Sequence, residues 1–152
     1  MNITIADIRT LQRVEAGMPD AIIGRVMRQG CEILRQCVGS ANYNTLDALP
    51  ATDPIIAGGQ VGGENFEGLQ SLLSDLVFAL LATENRVITG FGTVEKVDDY
   101  SRSADFFDQC KAKETHFREG VQRLCALKSW KYQYPDSDYY TTKFFTDGKL
   151  HR

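Results

Sequence analysis

With 152 residues and 43% hydrophobic content, the chain has the size of one domain and enough apolar surface to bury a core. Its 17 basic and 20 acidic residues leave a formal net charge of -3, which excludes a general electrostatic pull toward nucleic acid or anionic lipid. The longest apolar run, residues 76–82, falls far short of the roughly 20 residues needed to cross a bilayer, and no signal peptide precedes it; a soluble protein made inside the cell is expected, with no membrane partner.

In chain order, Thr4 followed by Asp7 has the form of a capping box, and Ile5, Ile8 and Leu11 supply an apolar stripe, which predicts a short helix over residues 5–14. Gly17 can end it. Pro19 and Asp20 suit the start of a second helix running to Val38 and closed by Gly39. On that helix Ile22, Ile23, Val26, Ile33, Leu34 and Cys37 lie on or near one face, and Arg25, Arg28, Glu32 and Arg35 form a solvated one. Gly24 and Gly30 mark either close helix packing or a bend.

Residues 40–49 predict another short helix, stopped by Pro50. Residues 51–64 carry Pro54 and the run Gly-Gly-Gln-Val-Gly-Gly. That run lacks a Walker lysine and the Gly-x-Gly-x-x-Gly spacing, so it reads as a flexible connector and not as a phosphate loop. Phe66, Leu69, Leu72, Leu73, Leu76, Val77, Leu80 and Leu81 then give the strongest helical pattern in the chain, over residues 65–84. Only a thin polar strip of Glu67, Ser71, Ser74 and Asp75 interrupts it, as expected of a helix central to its bundle.

The next segment, residues 85–101, has a period nearer two. Val87, Thr89 and Phe91 alternate, and Val94 and Val97 follow a Gly-x-Gly break, which predicts a projecting β-hairpin or extended loop. A polar-tipped projection between helices suits contact with a partner better than core formation. Ser101 or Ser103 can cap a long helix reaching Trp130, with Phe106, Cys110, Phe117, Val121, Leu124 and Cys125 recurring on its apolar face. The remainder, residues 131–152, holds Tyr132, Tyr134, Tyr139, Tyr140, Phe144 and Phe145 without a sustained period. It reads as an irregular aromatic tail that docks on a neighbour. The expected fold is therefore mainly α: a small bundle of four to five helices over residues 1–130, the projection at 85–101, and a C-terminal tail over 131–152.

Catalytic signals are sparse. Cys31, Cys37, Cys110 and Cys125 match no Cys-x-x-Cys motif and read as buried, reduced thiols. His116 lies within about a turn of Glu114 and Glu119, an arrangement expected of a surface ion pair and not of a metal site. No Gly-x-Ser-x-Gly, His-Glu-x-x-His or phosphate-binding motif is present. The sequence predicts a protein that is not an enzyme and takes no cofactor.

The order of these pieces resembles a known family. The residues that carry the resemblance are Val38-Gly39 with Tyr43 and Leu46, Gly68-Leu69-Gln70, Val87-Ile88-Thr89, Phe91-Gly92-Thr93-Val94-Glu95-Lys96 and Asp99-Tyr100-Ser101, followed by a long charged helix. Over residues 1–130 the chain is similar to the head-to-tail connector, or adaptor, proteins of tailed bacteriophages, particularly ring proteins of crAss-like phages. The segment 68–101 carries most of the weight. The glycine-rich stretch 57–63 and the tail after Trp130 have no counterpart in the family pattern.

The resemblance implies a helical bundle that assembles with itself as a ring of about a dozen copies beneath the portal protein, meets other neck or tail proteins, and extends the channel through which DNA passes. It implies a place in the virion neck after synthesis in the bacterial host cytoplasm. Arg86, Phe91, Glu95, Lys96, Asp98 and Asp99 are then the candidate channel-facing or inter-subunit residues. Glu95, Asp98 and Asp99 either border the channel, where acidic walls would repel DNA phosphates, or sit on an exposed loop with incidental charge. A reading of another class is a free-standing helical binding or regulatory protein that captures a partner through its aromatic tail.

Overall fold

The structure, a computed structural model, describes residues 1–12, 14, 17–82 and 100–135, with side chains in the last stretch from Asp108 onward. The fold is mainly α. Among the described residues there are six helices and one two-stranded hairpin, in the order α1 (Ile5–Gln12), α2 (Asp20–Val38), α3 (Ser40–Asp47), α4 (Pro54–Ala57), β1 (Gly59–Val61), β2 (Glu64–Phe66), α5 (Leu69–Ala82) and α6 (Tyr100–Lys128).

Local sequence explains most helix boundaries. At α1 the capping box forms as expected, the Thr4 amide donating to Asp7 Oδ2 at 2.8 Å and the Asp7 amide donating to Thr4 Oγ1 at 3.2 Å. Pro19 occupies the N-cap of α2, one position earlier than a first-turn proline, and Gly39 closes that helix by donating to the Arg35 carbonyl at 2.8 Å. The apolar face of α2 is buried as predicted at Ile23, Val26, Ile33, Leu34 and Cys37. Gly30 marks close packing: a Cβ there would stand 3.3 Å from Leu73 Cδ1 and 3.6 Å from Val77 Cγ2.

α5 is the centre of the bundle. Eleven of its side chains, from Leu69 to Ala82, are buried, and the helix packs against α6, α2, α1 and α4. It starts later than the sequence predicts, because Gly68 and the strand before it take residues 65–68 out of the helix. On α6, Cys110, Phe117, Val121, Leu124 and Cys125 are buried as expected. Gly120 provides a notch for Leu72, whose methyl carbons would lie 2.5 Å from a Cβ at that position.

The expected flexible connector at 51–64 is instead ordered structure. Asp53 caps α4 by accepting from the Ile55 amide at 2.9 Å, with Pro54 opening the helix. β1 and β2 then pair antiparallel, in the register Gly59 with Phe66, Gln60 with Asn65 and Val61 with Glu64. The two-residue link between them is Gly62-Gly63, with φ of 60° and 83°. Only glycine takes two successive left-handed positions without steric cost, and such turns match the twist of a hairpin. Val61 and Phe66 bury their side chains, so the hairpin is fastened to the core from one face. This hairpin lies at 59–66; the projection predicted at 85–101 falls outside the described residues, save Tyr100 and Ser101, which open α6.

Candidate functional site

Of the residues singled out in the sequence, Arg86, Phe91, Glu95, Lys96, Asp98 and Asp99 lie outside the described residues, as do Tyr139, Tyr140, Phe144 and Phe145. The structure does fix what brackets the first group. α5 ends at Ala82, α6 begins at Tyr100, and these two helices pack against each other. Segment 83–99 therefore joins two of the most closely associated elements of the bundle.

Tyr132 and Tyr134, expected to meet a neighbour, pack against the protein's own core. The chain turns back at Ser129, the one described non-glycine residue with positive φ (57°), and Trp130 donates its amide to the Cys125 carbonyl at 2.8 Å. The Gln133 amide donates to the Cys37 carbonyl at 3.1 Å, tying this strap to the end of α2. Tyr134 reaches Glu114, its hydroxyl donating to Oε2 at 3.1 Å, while Arg118 lies over its ring with the guanidinium carbon 4.5 Å from the centroid. Burial pushes the Tyr134 hydroxyl well above the ordinary tyrosine range, and burial likewise raises Tyr132 to about 12. Lys128 over Trp130 at 5.8 Å completes the attachment.

Residues 130–135 thus belong to the folded unit. A truncation after Trp130 is expected to lower stability by about 2 kcal/mol, through loss of apolar cover over Cys37 and α6 and of the Tyr134–Glu114 hydrogen bond. A truncation after Pro135, which keeps the strap, is the reference against which that loss is read in denaturant midpoints. Equal midpoints for the two truncations would show that the strap contributes nothing to the fold.

A second constellation was not foreseen. His116 on α6 is flanked by two carboxylates from distant parts of the chain, with Nδ1 2.5 Å from Asp75 Oδ2 and Nε2 2.6 Å from Glu67 Oε2. Asp75, on α5, also accepts from Gln12 Nε2 at 2.9 Å and from Lys113 Nζ at 3.3 Å. Gln12 in turn donates to Ser74 Oγ at 2.8 Å, and the Lys113 ammonium lies 4.9 Å from the centre of the buried Phe78 ring. This cluster fastens α1, α5, α6 and the β2–α5 junction together. The histidine turns toward α5 and the β2–α5 junction, and Glu114 is buried and accepts from Tyr134. The signal that could have found it is the strip Glu67, Ser74 and Asp75 on a helix otherwise apolar nearly all round, because polar groups carried into a core need partners.

Among the described residues, no group of three His, Cys, Asp or Glu side chains is arranged to hold a metal ion. With a carboxylate on each ring nitrogen, His116 has neither nitrogen turned toward open space for attack or ligation, and the cluster serves as a fastener. The four cysteines form no disulfide, and burial raises both Cys37 and Cys110 to about 12, far from the range of a reactive thiolate. An open depression of about 600 Å³ lies between α1, α2 and α3, lined by apolar Ile3, Ile5 and Met27 together with Arg28, Arg35 and Tyr43. No described helix is long and apolar enough to cross a membrane.

In comparisons with protein-family models, curated proteins and solved structures, nothing matches this chain.

Proposed function

We propose that this protein is a structural virion protein, a ring-forming head-to-tail connector that joins the portal to the tail of a bacteriophage and extends the DNA channel. The observation that carries the reading is the sequence of segment 68–101, where the connector-like motifs concentrate. That segment runs from the start of the bundle's central helix α5 to the start of α6, so the portion 83–99 has a rigid base in two mutually packed helices. In this reading 83–99 meets neighbouring subunits or the channel, and the tail beyond Pro135 reaches an adjacent copy or a tail component.

The test is the mass of the protein in solution, alone and with a portal protein from the same genome. A ring of about a dozen copies, formed alone or on the portal, supports the proposal. A protein that neither self-associates nor binds the portal overturns it. For the acidic residues, the double variant Asp98→Lys with Asp99→Lys is expected to reduce DNA packaging or release by about tenfold while ring formation continues, since lysines there would hold phosphates in transit. Normal infectivity of that variant would remove these residues from the channel wall.

A further inference from the structure

We propose that the Glu67–His116–Asp75 cluster is a pH-gated latch that holds the base of the β1–β2 hairpin to α6 when the imidazole is protonated and releases it when the imidazole is neutral. The argument begins with proton count. A neutral imidazole has one N–H and can donate to one carboxylate only, whereas the imidazolium donates from both nitrogens. Both ring nitrogens here lie at hydrogen-bond distance from carboxylate oxygens, 2.5 Å and 2.6 Å away, so the cationic ring alone satisfies the geometry.

The environment decides which contact fails on deprotonation. Asp75 is only 13% exposed and is held additionally by Gln12 from α1 and Lys113 from α6, whereas Glu67 is 40% exposed at the end of the hairpin. The remaining proton therefore stays on Nδ1 toward Asp75. Nε2 then presents a lone pair to the Glu67 carboxylate, and that contact turns repulsive. The other charged groups near the imidazole, Asp108, Lys111 and Glu119, border an outer depression on its own helix.

Burial of the ring disfavours its charged form, but the Asp75 hydrogen bond and the charges of Glu67 and Asp75 outweigh this and raise His116 above the ordinary value. A raised folded-state value means that the latch's contribution is complete below about pH 6.5, the unfolded value, and is lost as pH rises through the folded one. Solvent reaches the ring, whose side chain is 42% exposed, so proton exchange needs no unfolding. Arg123 also ties the hairpin to α6, donating to the Asn65 carbonyl and lying 3.5 Å from Glu64 Oε1. Arginine keeps its charge throughout this range, so the hairpin loses the fastening at its base and retains the one beside its turn.

The experiment is a histidine NMR titration of the full chain, assigned with His116→Gln, together with amide hydrogen exchange corrected for its intrinsic pH dependence. His116 is expected to titrate above the ordinary value, and protection at residues 66–69 to fall about tenfold across that titration. In Glu67→Gln, a change at an exposed side chain, His116 is expected to titrate lower and protection at 66–69 to lose its pH dependence. An ordinary or depressed His116 titration, protection that does not change with pH, or an unaltered pH dependence in Glu67→Gln would each overturn the latch.

Discussion

Replacing Gly68 with alanine is expected to destabilise the protein by about 4 kcal/mol, a large fraction of the stability of a domain this size. Gly68 sits between β2 and α5 with φ of 97°, where an L side chain is strained by about 1–2 kcal/mol. Space is the larger problem. A Cβ at this position would lie 2.6 Å from the Gly58 amide nitrogen, 2.7 Å from the Ile56 carbonyl oxygen and 2.8 Å from the Ala57 carbonyl carbon. All three are backbone atoms, so no side-chain rotation relieves the overlap. The matching approach occurs at Gly58, whose Cβ would meet the Glu67 carbonyl oxygen at 2.8 Å.

Gly63→Ala is the control. Gly63 also has a left-handed φ of 83°, but a Cβ there would meet nothing within 4 Å, so only the conformational cost of about 1 kcal/mol applies. The difference between the two variants in denaturant midpoints isolates the steric contribution of the crossing between 56–58 and 67–68. Closely similar midpoints would mean that this crossing does not exist in the folded protein.

The second large effect is expected at Asp75. Asp75→Ala removes the acceptor shared by Gln12, Lys113 and His116 and leaves a partly buried ammonium and an imidazole without their carboxylate. Losing one member of a buried charged network costs about 3 kcal/mol, and His116→Ala should cost only about 1 kcal/mol because that ring is 42% exposed and solvent weakens its interactions. The double variant at pH 6 is expected to show a coupling of about 1 kcal/mol between the two positions, reduced at pH 9 to the smaller value of the hydrogen bond that the neutral ring still donates from Nδ1 to Asp75. Additivity of the two single effects at pH 6 would show that Asp75 acts through Gln12 and Lys113 without the histidine.

How much of this was legible in the sequence follows from how far apart the interacting groups lie along the chain. The Thr4–Asp7 capping box, the buried face of α2 and the central position of α5 all follow from residues within a turn or two of one another, and all appear where the sequence places them. The hairpin at 59–66 carried a Gly-Gly turn, yet each strand has only three residues and one buried apolar side chain, too short to display a period of two. The latch was only half visible: the polar strip of Glu67, Ser74 and Asp75 signals a need for partners but does not say which. His116 meets Asp75 and Glu67 at separations of 41 and 49 residues, and no local pattern on α6 distinguishes them from Glu114 and Glu119.

The sequence by itself determined that this is a mainly α protein built around one very apolar helix, because hydrophobic period and capping act over a few residues and survive whatever the remainder of the chain does. Only the tertiary structure decided that the glycine-rich segment is a fastened hairpin, that the strap at 130–135 belongs to the core, and that His116 holds two carboxylates. Each of these depends on which distant backbone or charge arrives at a given point, and that is fixed by packing around α5.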